Sequence, residues 1–237
     1  MEAGLLSVLV LGFVLGIKHA IEPDHVIAVS AIASQSRKLL RSSLAGLYWG
    51  IGHTATLFIT GLLVIAMKGE IPEKWVLSFE FVVGIMLVYL GVTTLRSFKN
   101  IHLHVHEHDG ERHKHVHSHQ HAARHEHRPH RHVSYLKSAC IGFVHGLAGS
   151  GAMVLLTMST VQSVWEAAGY ILVFGAGTVV GMLFFTTMIG IPFVISAGHL
   201  RINRGLTQLT GGISIVFGVF YMYNLGVMEG LFKLWLQ

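Results

Sequence analysis

Six apolar blocks of 19–29 residues govern what this chain can fold into: Leu5–Ala33, Ser43–Met67, Trp75–Leu95, Tyr135–Val161, Ala167–Ile195 and Leu206–Asn224. At 1.5 Å per residue, a helix of about twenty residues crosses the roughly 30 Å hydrocarbon layer of a bilayer. Inside that layer every backbone N–H and C=O must be satisfied within the protein, and helices do this for blocks of such length. Only 12% of the residues are charged, against about 25% in a soluble domain. The sequence therefore predicts an all-α, polytopic membrane protein with about six transmembrane helices. The first, fourth and fifth blocks exceed twenty-five residues, and Pro23 and Gly190-Ile191-Pro192 are the expected break points within the first and the fifth. Met1-Glu2 offers no basic leader, so the first block reads as a span and not as a secretory signal.

Lys and Arg gather in alternate loops. Arg37, Lys38 and Arg41 follow the first block, eight more lie between Arg96 and Lys137, and Arg201 and Arg204 follow the fifth. The opposite side holds Lys68, Lys74 and Lys233, a ratio of 13 to 3, with Lys18 left inside a block. The positive-inside rule then places both termini outside and the long central loop in the cytoplasm. The same asymmetry accounts for the pI near 9.5, so the charge gives no reason to expect a nucleic-acid partner.

Glycines recur at a nearly constant offset. Gly12-Phe13-Val14-Leu15-Gly16-Ile17 is matched by Gly142-Phe143-Val144-His145-Gly146-Leu147, Gly46 and Gly50 by Gly177 and Gly181, and Gly84 and Gly91 by Gly211 and Gly218. Three ordered matches predict two three-helix halves, 1–98 and 135–237, joined by a loop over 99–134. An odd number of spans in each half makes the repeats inverted, an arrangement found in secondary transporters with the substrate held between the halves. Close helix packing through small residues is the structural alternative for these glycines.

The first block is interrupted by His19-Ala20-Ile21-Glu22-Pro23-Asp24-His25. Ionisable groups at membrane depth are costly and mark sites or ion pathways. Two imidazoles and a carboxylate suit Ni²⁺, Co²⁺ or Zn²⁺; Mg²⁺ wants oxygen alone and Cu⁺ wants sulfur. Cys140 is the single cysteine, which rules out a thiolate cage or an internal disulfide. His19, Asp24 and His25 diverge by 120–140° on a straight helix at about 100° per residue, so facing one ion requires the helix to unwind near Pro23. A buried polar network among Lys18, Glu22, Asp24 and the histidines is the alternative without metal. His53, inside the second block, is the expected fourth nitrogen. His145 and Glu22 are accessory candidates, His145 as a gate or a hydrogen-bonding group between halves.

Thirteen histidines fall between His102 and His132, many of them alternating, among acidic and basic residues. The segment lacks an apolar face and is predicted to be disordered, with loose chelation of divalent metal as its chemistry. Metal buffering or presentation at the cytoplasmic face is its expected task, leaving it dispensable for crossing the membrane.

His19-x4-Asp24-His25 resembles the signature of the nickel/cobalt transporter superfamily. Gly52-His53-Thr54 and Gly142-Phe143-Val144-His145-Gly146-Leu147-Ala148-Gly149-Ser150-Gly151 are similar to it as well, the latter most like its urease-accessory, UreH-like branch. The resemblance implies a non-enzyme that takes up Ni²⁺ or Co²⁺ through the cytoplasmic membrane of a prokaryote, with His19, Asp24, His25 and His53 required. The ion is then a transported substrate and not a cofactor. The expected partners are that ion, the lipid bilayer and a cytoplasmic metallochaperone. Longer superfamily members have about eight spans, two more than are read here, and related branches export the same ions.

An intramembrane zinc metalloenzyme is the rival of another class, but the blocks contain no H-E-x-x-H and no second acid–base pair placed to activate water. A membrane metal sensor would need an effector domain. The chain also lacks G-x-x-x-x-G-K-[S/T], so ATP drive would require a partner. The charge asymmetry gives the first test. A cysteine placed in the central loop of a chain with Cys140→Ser should resist an impermeant thiol reagent in intact cells, and labelling from outside would reverse the orientation.

Overall fold

Pro23 shapes the first span. A proline disfavours helical geometry at the residue before it, and in the computed structural model Glu22 has φ −58° and ψ 145°, an extended conformation. Helix α1, Glu2–His19, ends there, and α2, Pro23–Ala33, begins with proline in its first turn, where no N–H is needed. The two helices are bent by 57° across the break. The structure describes residues 2–67, 72–99, 101–108, 111–118, 134–148 and 164–236.

Beyond the bent pair come α3 (Leu39–Met67), α4 (Glu73–Lys99), α5 (Tyr135–Ala148), α6 (Val164–Ile195) and α7 (Leu200–Tyr223). A π-helical turn, Asn224–Met228, leads to the short α8, Leu231–Leu236. Among the described residues four helices are long and apolar enough to cross a membrane, and the bent pair makes a fifth. The second part of the predicted fourth block, Gly149–Val161, lies outside the described residues. Among the described residues the membrane part is all helical, and this is a polytopic all-α membrane protein.

Pro192 does not interrupt its helix, contrary to the sequence expectation: α6 runs through it to Ile195. The physical contrast with Pro23 lies in the surroundings. Ionisable side chains flank Pro23 and gain partners when the helix opens, whereas the neighbours of Pro192 are apolar. A break there would leave backbone groups without partners in hydrocarbon.

The bundle is built on small residues. α1 packs on α6, α3 packs on α5 and α6, α4 packs on α7, and the short α2 lies among α3, α4, α6 and α7. A Cβ at Gly142 would collide with the Trp49 carbonyl oxygen, and one at Gly16 with that of Phe174. Gly84 lies against the Gly218 carbonyl and Gly91 against that of Gly211. Hydroxyls cross-link the same seams: Thr56 Oγ1 donates to the Phe143 carbonyl at 2.8 Å, and Ser214 Oγ to that of Leu87 at 2.7 Å. The central core comprises Ala28, Val29, Ile32, Ala45, Trp49, Leu87, Leu90 and Met182, among others. Trp75 and Trp235 stack edge to face at 5.2 Å beside Lys74, an amphipathic cluster of the kind found at a membrane–water boundary.

The central loop departs from predicted disorder in two stretches. Ile101–His108 and Glu111–Ser118 form an antiparallel hairpin whose register sets His102 opposite His117, His104 opposite His115 and His106 opposite His113. The alternation that looked like polar bias is also the two-residue period of a strand. Histidines from His119 to His132 lie outside the described residues.

The glycine seams give a stability test. Gly142→Leu should cost about 1–3 kcal/mol through overpacking against α3, read as a lower melting temperature in detergent. Gly212, with no atom within 4 Å of an added Cβ, should accept Leu without loss. An unchanged melting temperature for Gly142→Leu would show that the seam is loose.

Candidate metal centre

Helix ends and seams bring the ionisable residues together at the break. His19 closes α1, Asp24 and His25 open α2, His53 lies midway along α3, and His145 lies in the last turn of α5. Gly142 and Gly146 let α5 approach the α3 backbone at Trp49 and His53, and that close contact carries His145 into the site.

Asp24 is the hub. Its Oδ1 accepts the His25 backbone N–H at 2.9 Å and faces His25 Nδ1 at 3.0 Å, while its Oδ2 faces His145 Nε2 at 2.9 Å. His19 Nδ1 lies 2.9 Å from Glu22 Oε2, and its Nε2 lies 3.0 Å from His53 Nε2. The tautomers follow from this network. An ionised carboxylate only accepts, so His25 and His145 donate to Asp24 and His19 donates to Glu22. His53 then donates to His19.

Three imidazoles retain a nitrogen with no hydrogen-bond partner among the described residues: His25 Nε2, His53 Nδ1 and His145 Nδ1. All three side chains are buried, at 1%, 0% and 1% exposure. Buried polar atoms are ordinarily hydrogen-bonded. Unpartnered imidazole nitrogens beside a carboxylate are the donor chemistry that a borderline divalent cation requires. His19, His25 and His53 each bring a ligand atom within 4.8 Å of the others, as do Asp24, His25 and His145.

The four residues selected from the sequence as ligands thus lie together, and the accessory pair lies beside them. Glu22, half exposed, orients the His19 ring; such outer partners fix tautomer and basicity. His145 contacts Asp24 directly, a closer role than the sequence assigned it. Sequence reasoning missed Trp49, whose ring lies parallel to that of His25 at 6.3 Å, although Trp49 and His53 share a helix face four residues apart. It also passed over Glu80, a carboxylate inside the third apolar block that accepts a hydrogen bond from the Tyr221 hydroxyl at 3.4 Å.

With that geometry in view, the relatives can be placed. A family described as the cytochrome C biogenesis protein transmembrane region matches residues 25–220. The urease accessory protein UreH of Bacillus sp. (strain TB-90) is 58% identical over 241 residues, which cover all of this chain and 99% of that protein. The chain belongs to the UreH family. More distant similarity links it to nickel and cobalt proteins. A Methanocaldococcus jannaschii protein, provisionally named as a nickel/cobalt efflux system, is 33% identical over 38% of this chain and 44% of its own length. The high-affinity nickel transport protein of Cupriavidus necator is 30% identical over 30% of this chain and 20% of its own. These relatives are accessory or transport proteins and not enzymes. No solved structure matches the chain.

Asp24 can be tested without metal. Asp24→Ala leaves the donors of His25 and His145 buried without acceptors, at a cost of about 1–3 kcal/mol. A correspondingly lower melting temperature in detergent is expected, and the same melting temperature as the unsubstituted protein would contradict the hub assignment.

Proposed function

We propose that the chain carries Ni²⁺ or Co²⁺ across the cytoplasmic membrane of a prokaryote into the cytoplasm, through the site at the broken first span. One observation carries this reading: His19, His25 and His53, and likewise Asp24, His25 and His145, bring ligand atoms within 4.8 Å of one another at a helix break inside an apolar bundle. A resident structural metal is normally enclosed by a complete, rigid ligand shell. Here the ligands come from the ends of two half-helices and from two further helices, the discontinuous construction that transporters place around their cargo. Nitrogen donors favour nickel and cobalt over magnesium or calcium, and the absence of sulfur in the ligand set disfavours Cu⁺. The names of the nickel and cobalt relatives point the same way.

The site lies between two halves, which we read as inverted repeats. Equivalent glycines make equivalent contacts: Gly12 and Gly16 pack on α6, while Gly142 and Gly146 pack on α3. The crossed pairs Gly84–Gly218 and Gly91–Gly211 are what a two-fold relation between α4 and α7 requires. Both termini lie outside and the His-rich loop lies in the cytoplasm, where it buffers metal and hands it to a cytoplasmic metallochaperone. The urease accessory name of the full-length relative fits nickel delivery to that enzyme.

Metal accumulation in cells expressing the chain, with ions offered singly, tests the proposal. Uptake of Ni²⁺ or Co²⁺ but not Mg²⁺ is expected. His25→Ala and Asp24→Asn should abolish it at equal protein levels in the membrane fraction. Normal flux in both variants would refute the site, and net loss of preloaded metal would assign export instead.

A further inference from the structure

The acid and the four imidazoles do not form one coordination sphere. The ligand atoms that approach one another fall into two sets, His19/His25/His53 and Asp24/His25/His145. His25 belongs to both. Its Nδ1 faces Asp24 at 3.0 Å, while its Nε2 is buried without a partner among the described residues. Its ring lies 4.5 Å from that of His19, 5.0 Å from His53 and 4.1 Å from His145, centroid to centroid. The rings of His53 and His145, one from each set, are 5.6 Å apart.

We propose that the centre is two overlapping metal positions sharing His25, and that a single ion passes from one to the other during transport. The first position is a triad of neutral imidazoles from α1, α2 and α3. The second adds the Asp24 carboxylate and His145 of α5, so that the second half of the chain supplies a ligand. This inference rests on the transport reading above and specifies its path.

Three physical arguments support two positions over one. The two ligand sets share His25 alone, so an ion held by His19, His25 and His53 lacks Asp24 and His145. Two dications separated by one imidazole ring would repel strongly in so dry a site, so the positions fill alternately. Transport also requires an ion held firmly enough to enter yet loosely enough to leave, which successive partial sites provide better than one complete shell. The donors differ as well. An ion moving from three neutral nitrogens to a carboxylate-containing set changes its ligand field, which is directly observable with Co²⁺.

The test uses full-length chain in nanodiscs and vesicles, with the thirteen loop histidines replaced by glutamine so that intramembrane imidazoles dominate Co²⁺ binding. The unsubstituted centre should bind one Co²⁺. His53→Ala and His145→Ala should each still bind one, with visible absorption bands that differ from each other, and His25→Ala should bind none. Co²⁺ entry into vesicles should fall at least about tenfold in both single variants, the scale for losing an orienting or ligating group. His145→Gln separates ligation from folding. It can still donate to Asp24, so it should restore the melting temperature without restoring the spectrum or the rate.

His145→Ala with unchanged spectrum and entry would overturn the proposal. So would His145→Ala losing Co²⁺ as completely as His25→Ala, which would mean one site, and so would full rescue of entry by His145→Gln. Absence of Co²⁺ entry in the unsubstituted chain, with the variant spectra as expected, would instead refute the transport reading and leave the two positions standing.

Discussion

The conformation of Glu22 is the constraint on which the centre depends. A continuous helix would spread His19, Asp24 and His25 around its surface and turn at least one of them toward lipid. Pro23 disfavours helical geometry at the preceding residue, and the axis bends by 57° at the extended Glu22. Its carboxylate does not cap α2 but returns to His19. Local covalent geometry and the placement of two ionisable groups are therefore one event. Beyond the break α2 is short and apolar, so it can lie in the middle of the bundle and hold Asp24 and His25 away from lipid.

Close helix approach does the rest. Imidazoles on separate helices converge only if the backbones come nearer than ordinary side chains allow. Glycine removes the obstacle where α5 meets α3 and where α1 meets α6. In hydrocarbon there is little hydrophobic drive between helices, and packing with interhelical hydrogen bonds takes its place. The Thr56 bond to the Phe143 carbonyl lies in the seam that delivers His145. A substitution there would act on the candidate centre through a distance between helices and not through one of its own side chains.

Much of this was legible in the sequence because the controlling signals are local. Apolar block length fixed the class of fold, and Pro23 beside clustered ionisable residues fixed the break. Ligand chemistry singled out His19, Asp24 and His25 for the same reason. His53 was weaker, since a lone histidine in a span is usually a hydrogen-bonded packing residue. The contact between His145 and Asp24 spans 121 residues, and no local pattern encodes it; the glycines flanking His145 hinted at close packing without saying on what. Pro192 shows the opposite error, where a strong local signal yields to an apolar setting in which an open helix has nowhere to put its backbone groups. The histidine alternation carried two readings at once, polar bias and strand period, and composition alone favoured the first.

The two carboxylates have a task that electrostatic attraction for a cation does not describe. Each fixes a tautomer. Glu22 holds the proton of His19 on Nδ1, and Asp24 holds those of His25 on Nδ1 and His145 on Nε2. The opposite nitrogens of His25 and His145 are left as lone pairs, and that of His19 accepts from His53. Neutral imidazole without such a partner exchanges freely between tautomers, and part of that population presents a proton where a lone pair would be needed. Carboxylate–histidine pairing removes this ambiguity and raises the basicity of the ligating nitrogen. His53 has no carboxylate; its Nε2–H donates to His19 Nε2 instead, so the order imposed at Glu22 passes through one ring to the next. The acids thus order the imidazoles as well as placing negative charge among them. This explains why carboxylates worth several kcal/mol at membrane depth are found beside histidines and not apart from them.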